Sequence, residues 1–214
     1  MTSCVHNRCY HLGMNRKLFI GLESAIYLCF IILDILNRNT IYLKYAGIVL
    51  CFIYSLYSSE RVISVALFFT LVSDFFLLVI NRYYVVGVST FIIVQLLYCY
   101  YIYKKKTDVY VWLRIVLSSS AVLLLINLNQ LSLLNVLVVI YFTNLVMNAF
   151  SSLTNSKLRL LSLGLFLFVC CDICVGLFNI LSVSSPIYPY VSLGMWIFYL
   201  PSQVLIILST KMEL

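Results

Sequence analysis

Residues 159–181 read RLLSLGLFLFVCCDICVGLFNIL, and this stretch decides the fold. It carries charge only at Arg159, its first residue, and at Asp172. A helix of about 20 apolar residues crosses the roughly 30 Å hydrocarbon core of a bilayer with every backbone polar group bonded internally. We therefore predict a transmembrane helix with one acidic residue inside it.

Seven further runs of the same kind account for most of the chain. Of its 214 residues, 64% are hydrophobic and 10% are charged, and the mean hydropathy is +1.07, well above the values of soluble domains. The eight predicted spans are residues 18–36, 41–57, 62–80, 84–103, 111–127, 132–150, 159–181 and 189–210. The sequence thus predicts an all-α, polytopic bundle of about eight transmembrane helices over residues 18–210, flanked by tails at 1–17 and 211–214.

The charges indicate topology rather than a nucleic-acid partner. The net charge is +7, but the basic residues are spread through short loops instead of along one soluble face. With a cytoplasmic N-terminus, eleven of the fourteen basic residues fall inside, and only Arg38, Lys44 and Arg82 fall outside. We predict a multi-pass protein of the cell membrane with both termini in the cytoplasm.

The N-terminal tail carries residue types that bind zinc, namely Cys4, His6, Cys9 and His11. Their spacing is short and the segment is terminal, so we predict neither a metal site nor a cofactor. Cysteines within the spans are interpreted as small buried hydrophobes. Met14 directly precedes Asn-Arg-Lys and is an alternative start of translation.

Two aspartates occupy matching positions in the spans. Asp74 and Asp172 lie twelve and thirteen residues into their helices, which places both about 18 to 20 Å from the predicted cytoplasmic edge. Acids at such depth are costly and are functional candidates by default. The matched surroundings are Phe68 and Phe166, Asn81 and Asn179, and Gln95 and Gln203.

This correspondence predicts a parallel 4+4 internal repeat, with halves at about 18–103 and 111–210 and one cavity shared by the two aspartates. Coincidence, or two buried acids each satisfied by a neighbouring polar group, is the alternative. Glu23 and Asp34 lie towards the two ends of the first span, so we interpret them as solvated or helix-packing residues.

Other polar residues within the spans suit a wet cavity that holds a polar head-group. The predicted substrate-binding residues are Ser73, Gln95, Tyr98, Asn144, Asn179, Tyr199 and Gln203, with Asn148 as a further member of the set. Both histidines lie in the tail, so any proton chemistry within the bundle must rest on carboxylates.

Four segments resemble the YhhN family of membrane proteins. They are LFFTLVSD at 67–74, Gly87 through the QLLY at 95–98, LGLFLFVCCD at 163–172, and WIFYLPSQVLIILS at 196–209. The resemblance runs from the second span to the end of the chain. The sequence departs from the family pattern at Gln95, where many members have His, at Ser73, a frequent Gly, and in lacking a Lys-Pro before the third helix.

The family includes lysoplasmalogenases, eight-helix enzymes that hydrolyse the vinyl-ether bond of lysoplasmalogens. The resemblance implies that Asp74 and Asp172 stand where the family's paired acids stand and are the catalytic residues. Such cleavage needs one acid that donates a proton and a partner that stays charged. Asp172 lies between Cys171 and Ile173, which indicates a drier position, and we expect it to be the acid.

Three functions are compatible with these features. The first is a lysoplasmalogenase-like hydrolase acting on a membrane lysolipid. The second is a proton-coupled carrier of a small molecule or lipid, since paired intramembrane carboxylates and repeated halves also occur in transporters. The third is a non-catalytic lipid-binding protein in which Gln95 marks lost chemistry. The sequence gives no oligomeric state.

Overall fold

The computed structural model describes residues 15–36 and 38–210, and these residues form eight α-helices. The helices are α1 (Arg16–Ile35), α2 (Ile41–Ser55), α3 (Arg61–Asp74), α4 (Tyr84–Lys104), α5 (Val111–Asn127), α6 (Leu133–Leu153), α7 (Arg159–Ile180) and α8 (Tyr188–Ser209). The predicted all-α, eight-helix bundle is confirmed. The tail motif that ends at His11 lies outside the described residues.

Local signals account for several helix starts. The side chain of Asn15 accepts a hydrogen bond from the backbone N–H of Lys17 and caps α1. Ser132 caps α6 in the same way by accepting from the N–H of Asn135. These polar caps satisfy backbone donors that a helix leaves free at its first turn.

The helices have the length and apolarity of membrane spans. Six helical stretches in the described residues are longer than 18 residues and strongly apolar, whereas α2 and α5 are shorter, at 15 and 17 residues. Large apolar side chains face outward along the bundle, for example Ile32, Trp112 and Ile180. An exterior of this kind is typical of a protein that is solvated by lipid.

Several helix contacts of the first half have counterparts in the second half. The hairpin α3–α4 corresponds to α7–α8, and the contact of α4 with α6 corresponds to that of α8 with α2. The α7–α8 crossing is especially close, because a Cβ at Gly164 would come within 2.9 Å of the backbone oxygen of Ser202. The contact of α1 with α8 has no counterpart of similar extent between α5 and α4, and the parallel 4+4 repeat stays a prediction.

One departure from the predicted helices occurs directly after Asp74. The third span was expected to be a single regular helix over 62–80, but its last part, Phe75–Val79, is a π-helix. Within this segment the N–H of Ile80 bonds to the carbonyl of Phe75, five residues back, at 2.9 Å. Such segments recur at functional sites because they rotate the following side chains relative to an α-helix.

Candidate functional site: a buried pair of aspartates

Asp74 is the last residue of α3 and is held by a tyrosine from α8. The side chain is 6% exposed, and the hydroxyl of Tyr199 donates a hydrogen bond of 2.5 Å to Oδ2 of Asp74. A short O–H···O contact of this kind is typical of an ionised acceptor. The geometry therefore favours Asp74 as a carboxylate anchored between α3 and α8.

Asp172, on α7, is half-buried and is therefore more exposed than Asp74, so the expectation that it occupies the drier position is wrong. Its Oδ2 is shielded from solvent and has no hydrogen-bond partner in the described part of the chain. The hydroxyl of Tyr141, from α6, is also buried and faces the Asp172 carboxyl, but the contact is looser than the short bond between Tyr199 and Asp74. The Oδ2 atom of Asp172 is therefore available to a bound molecule.

The structure brings the two aspartates into one cluster. Their carboxylates lie within electrostatic range of each other, and the hydroxyl of Tyr141 is within range of both. The thiol of Cys171 lies beside the same pair, close to Tyr199. Residues far apart in sequence, from α3, α6, α7 and α8, thus converge on one buried site.

Aromatic rings enclose this site. Phe91 of α4 lies 5.4 Å from the ring of Tyr141 and 5.8 Å from that of Phe168, measured between ring centroids. Phe168 in turn lies 5.5 Å from Tyr199, and Trp196 lies 5.8 Å from Tyr199 on the other side. The carboxylates are therefore surrounded by a low-dielectric wall in which charge interactions are strong.

The polar residues predicted to bind substrate do not all belong to this cluster. The hydroxyl of Ser73 donates to the carbonyl of Gly87 at 2.6 Å and joins α3 to α4. The Asn179 side chain is exposed and bonds the carbonyl of Val175 on its own helix. Among the residues predicted to bind substrate, only Tyr199 donates a hydrogen bond to an aspartate of the pair.

Gln95 and Asn144 belong to a second polar network that the sequence analysis did not identify. Arg114 of α5 donates to Asn144 Oδ1 at 3.0 Å and to Asn148 Oδ1 at 2.9 Å. Asn148 then donates to the side-chain oxygen of Gln95 at 3.0 Å. The network joins α4, α5 and α6, and Arg114 lies at its centre. From the sequence, Arg114 was expected only to indicate membrane topology.

Tyr98 and Gln203 are fully buried but retain unpaired atoms. The Tyr98 hydroxyl and the Gln203 Oε1 have no hydrogen-bond partner among the described residues. Gln203 Nε2 donates weakly to the hydroxyl of Ser202, at 3.2 Å. Both residues keep a polar atom available inside the bundle, so their predicted role as substrate ligands stays a prediction.

The two acids of α1 have separate environments. Glu23 is 3% exposed, and its Oε1 accepts from the Cys51 thiol of α2 at 3.3 Å. Asp34 pairs with Lys44 at 2.7 Å and also accepts from the hydroxyl of Thr40. Of the two roles expected for Glu23, the structure shows helix packing and not solvation, because α2 and α8 cover its side of the helix.

Comparison with known proteins gives one match. The family model described as the YhhN family matches residues 39–210, from just before α2 to the end of α8. No curated protein and no solved structure matches the chain. The matched range contains both aspartates, all members of the aromatic wall and the Arg114 network.

Proposed function

Since the chain belongs to the YhhN family, we propose that it is a lysoplasmalogenase-like membrane hydrolase that cleaves the vinyl-ether bond of a lysophospholipid. The products are a fatty aldehyde and a glycerophospho-head-group. The observation that carries the proposal is the pair itself, in which Tyr199 holds the buried Asp74, while the shielded Oδ2 of Asp172 lacks a partner among the described residues. The charge distribution in the loops supports the accompanying proposal that both termini face the cytoplasm.

The different hydrogen bonding of the two aspartates supports the following roles in proton transfer. Asp172 protonates the distal alkene carbon of the substrate, and the ether carbon becomes an oxocarbenium ion. Asp74 takes a proton from the water that attacks this ion, which gives a hemiacetal. Collapse returns the hemiacetal hydroxyl proton to Asp172, and Asp74 protonates the departing ether oxygen, so both acids recover their starting forms.

The enclosure favours the charged intermediate. An oxocarbenium ion develops positive charge beside the Asp74 carboxylate and against the π faces of Tyr141 and Tyr199. Fixed negative charge and aromatic faces stabilise a cation most strongly where water is excluded. The aromatic wall thus lowers the barrier to protonation and keeps bulk water from the reacting atoms.

Aldehyde release from lysoplasmenylethanolamine by purified, detergent-solubilised protein tests the proposal. We expect Asp74→Asn and Asp172→Asn each to lower the rate by about 10²-fold or more, as for other general acid or base residues. Glu23→Gln is the matched control, because it neutralises a buried intramembrane carboxylate outside the cluster.

A folded wild type that releases no aldehyde from either ethanolamine or choline lysoplasmalogens contradicts the hydrolase proposal. Lipid binding that survives both Asn substitutions would then favour a non-catalytic lipid-binding protein. Proton-coupled flux of solute in proteoliposomes would favour a carrier.

A further inference from the structure

Lys44 is a buried cation at the outer end of the bundle, close to the aspartate site. It lies in the first turn of α2, is 8% exposed, and its Nζ lies 2.7 Å from Asp34 Oδ2. An ammonium has three N–H donors, and the pairing with Asp34 uses one of them. Arg114, by contrast, directs all three guanidinium nitrogens at protein oxygens.

An aromatic path connects Lys44 with the reacting acids. Its Nζ lies 4.4 Å from the centroid of Trp196, and the ring of Trp196 lies edge-on to Tyr199 at 5.8 Å. The hydroxyl of Tyr199 then reaches Asp74. Two aromatic rings therefore separate the ammonium from the carboxylate pair.

This spacing suits a single-chain phospholipid. Six bonds separate the vinyl-ether carbon from the phosphorus in a lysoplasmalogen, and an extended chain advances about 1.2 Å per bond, which gives about 7 Å. The rings of Tyr199 and Trp196 lie 5.8 Å apart, so a molecule that reacts at Asp74 and Asp172 extends its phosphate past Tyr199 towards Trp196. The flexible side chain of Lys44, whose Nζ lies 4.4 Å from the Trp196 centroid, covers the remaining distance.

We propose that Lys44, Asp34 and Trp196 form a head-group site in which Lys44 binds the phosphate and Asp34 binds the positively charged amine. This inference rests on the proposed function for the class of ligand. The ion pair presents one positive and one negative group side by side, which complements a zwitterionic phosphoethanolamine or phosphocholine. The face of Trp196 adds an aromatic surface that attracts alkylammonium groups.

Ligand binding can be measured without catalysis through the fluorescence of Trp196. The chain has two tryptophans, and Trp112→Phe removes the other one, which is 80% exposed on the lipid-facing surface. The probes are lysophosphatidylethanolamine, lysophosphatidic acid and monoacylglycerol, titrated into protein in nanodiscs. Lysophosphatidylethanolamine carries a phosphate and an amine, lysophosphatidic acid carries a phosphate alone, and monoacylglycerol carries neither group.

Two substitutions separate the charges. We expect Lys44→Gln to weaken both phosphate-bearing probes by about tenfold or more and to leave monoacylglycerol unchanged. Asp34→Asn should weaken lysophosphatidylethanolamine alone, with lysophosphatidic acid bound at least as tightly as before. Lys44→Arg keeps the charge and should retain binding of all three probes.

An ion pair that only fastens α1 to α2 predicts a different pattern. In that case Lys44→Gln and Asp34→Asn change the affinity for the three probes alike, or change none of them, and the head-group site is refuted. Lys44→Arg provides a folded variant if Lys44→Gln does not fold. If Lys44→Arg no longer binds the phosphate-bearing probes more tightly than monoacylglycerol, the proposal is contradicted. The binding pattern is independent of aldehyde release, so a failure of the hydrolase proposal remains distinguishable.

Discussion

Replacing Tyr199 by phenylalanine removes one atom from the site and leaves its packing in place. The lost hydroxyl donates the 2.5 Å hydrogen bond to Asp74, whereas the ring contacts with Phe168 and Trp196, at 5.5 and 5.8 Å, do not involve it. A hydrogen bond to a charged group contributes about 1.5–3 kcal/mol, and each 1.36 kcal/mol is a factor of ten in rate. We therefore expect Tyr199→Phe to lower kcat/KM for aldehyde release by about 10- to 150-fold.

The matched control is Tyr84→Phe. The Tyr84 hydroxyl donates a hydrogen bond of 2.9 Å to Asn81 Oδ1 at the start of α4 and contacts neither aspartate of the pair. This variant also loses one tyrosine hydrogen bond, but it should keep kcat/KM within about threefold of the wild type, because the bond lies outside the site. Retained activity in folded Tyr199→Phe, or an equal loss in both variants, would refute the assignment of Tyr199 as the residue that positions Asp74.

Three further predictions concern stability, each measured as the free energy of unfolding in detergent. Gly164→Ala should destabilise by about 1–3 kcal/mol because its Cβ meets backbone of α8, whereas Gly176→Ala, with open space, should be near neutral; equal effects would contradict the close crossing. Asn148→Ala should lower the free energy of unfolding by about 1.5–3 kcal/mol, because the Arg114 guanidinium loses a hydrogen-bond acceptor. A decrease below about 0.5 kcal/mol would show that the network does not stabilise the fold. Partial burial raises the pKa of Glu60, but ion pairs with two neighbouring lysines outweigh it and hold the pKa below its ordinary value of 4.5. These ion pairs contribute below about 1 kcal/mol to the free energy of unfolding, and the contribution is present above pH 4.5 and lost as the pH falls through the folded pKa. Glu60→Gln should abolish this part of the pH dependence of stability, and a variant with the same pH dependence in acid as the wild type would contradict the prediction.

The apolar runs were sufficient to predict the eight helices, because a bilayer imposes a length that few other structures require. The pairing of Asp74 with Asp172 also followed from sequence, since equal depth in two parallel helices leaves only the rotation about each axis undecided. That rotation is the part that sequence did not provide. In a helix that is apolar all round, no hydrophobic periodicity marks the inward face.

The residues that were missed show this limit. Tyr141 is one of 17 tyrosines, and nothing in the span 132–150 indicates that its side chain reaches Asp172. Gln95 was grouped with the aspartates because it shares their repeat, whereas its side chain turns to Asn148. The π-helical segment FFLLV is as apolar as the α-helical spans around it, so nothing in its residue types predicts the different hydrogen bonding.

The short α2 has a consequence for the surrounding lipid. Its 15 residues extend about 22 Å, several ångströms less than the roughly 30 Å of an average hydrocarbon core. Hydrophobic mismatch of this size is relieved by local thinning of the bilayer, which lowers the polar interface towards the helix end that carries Lys44. For the proposed head-group site, we therefore expect access to depend on bilayer thickness, with lipid entering more readily from thin membranes than from thick, sterol-rich ones.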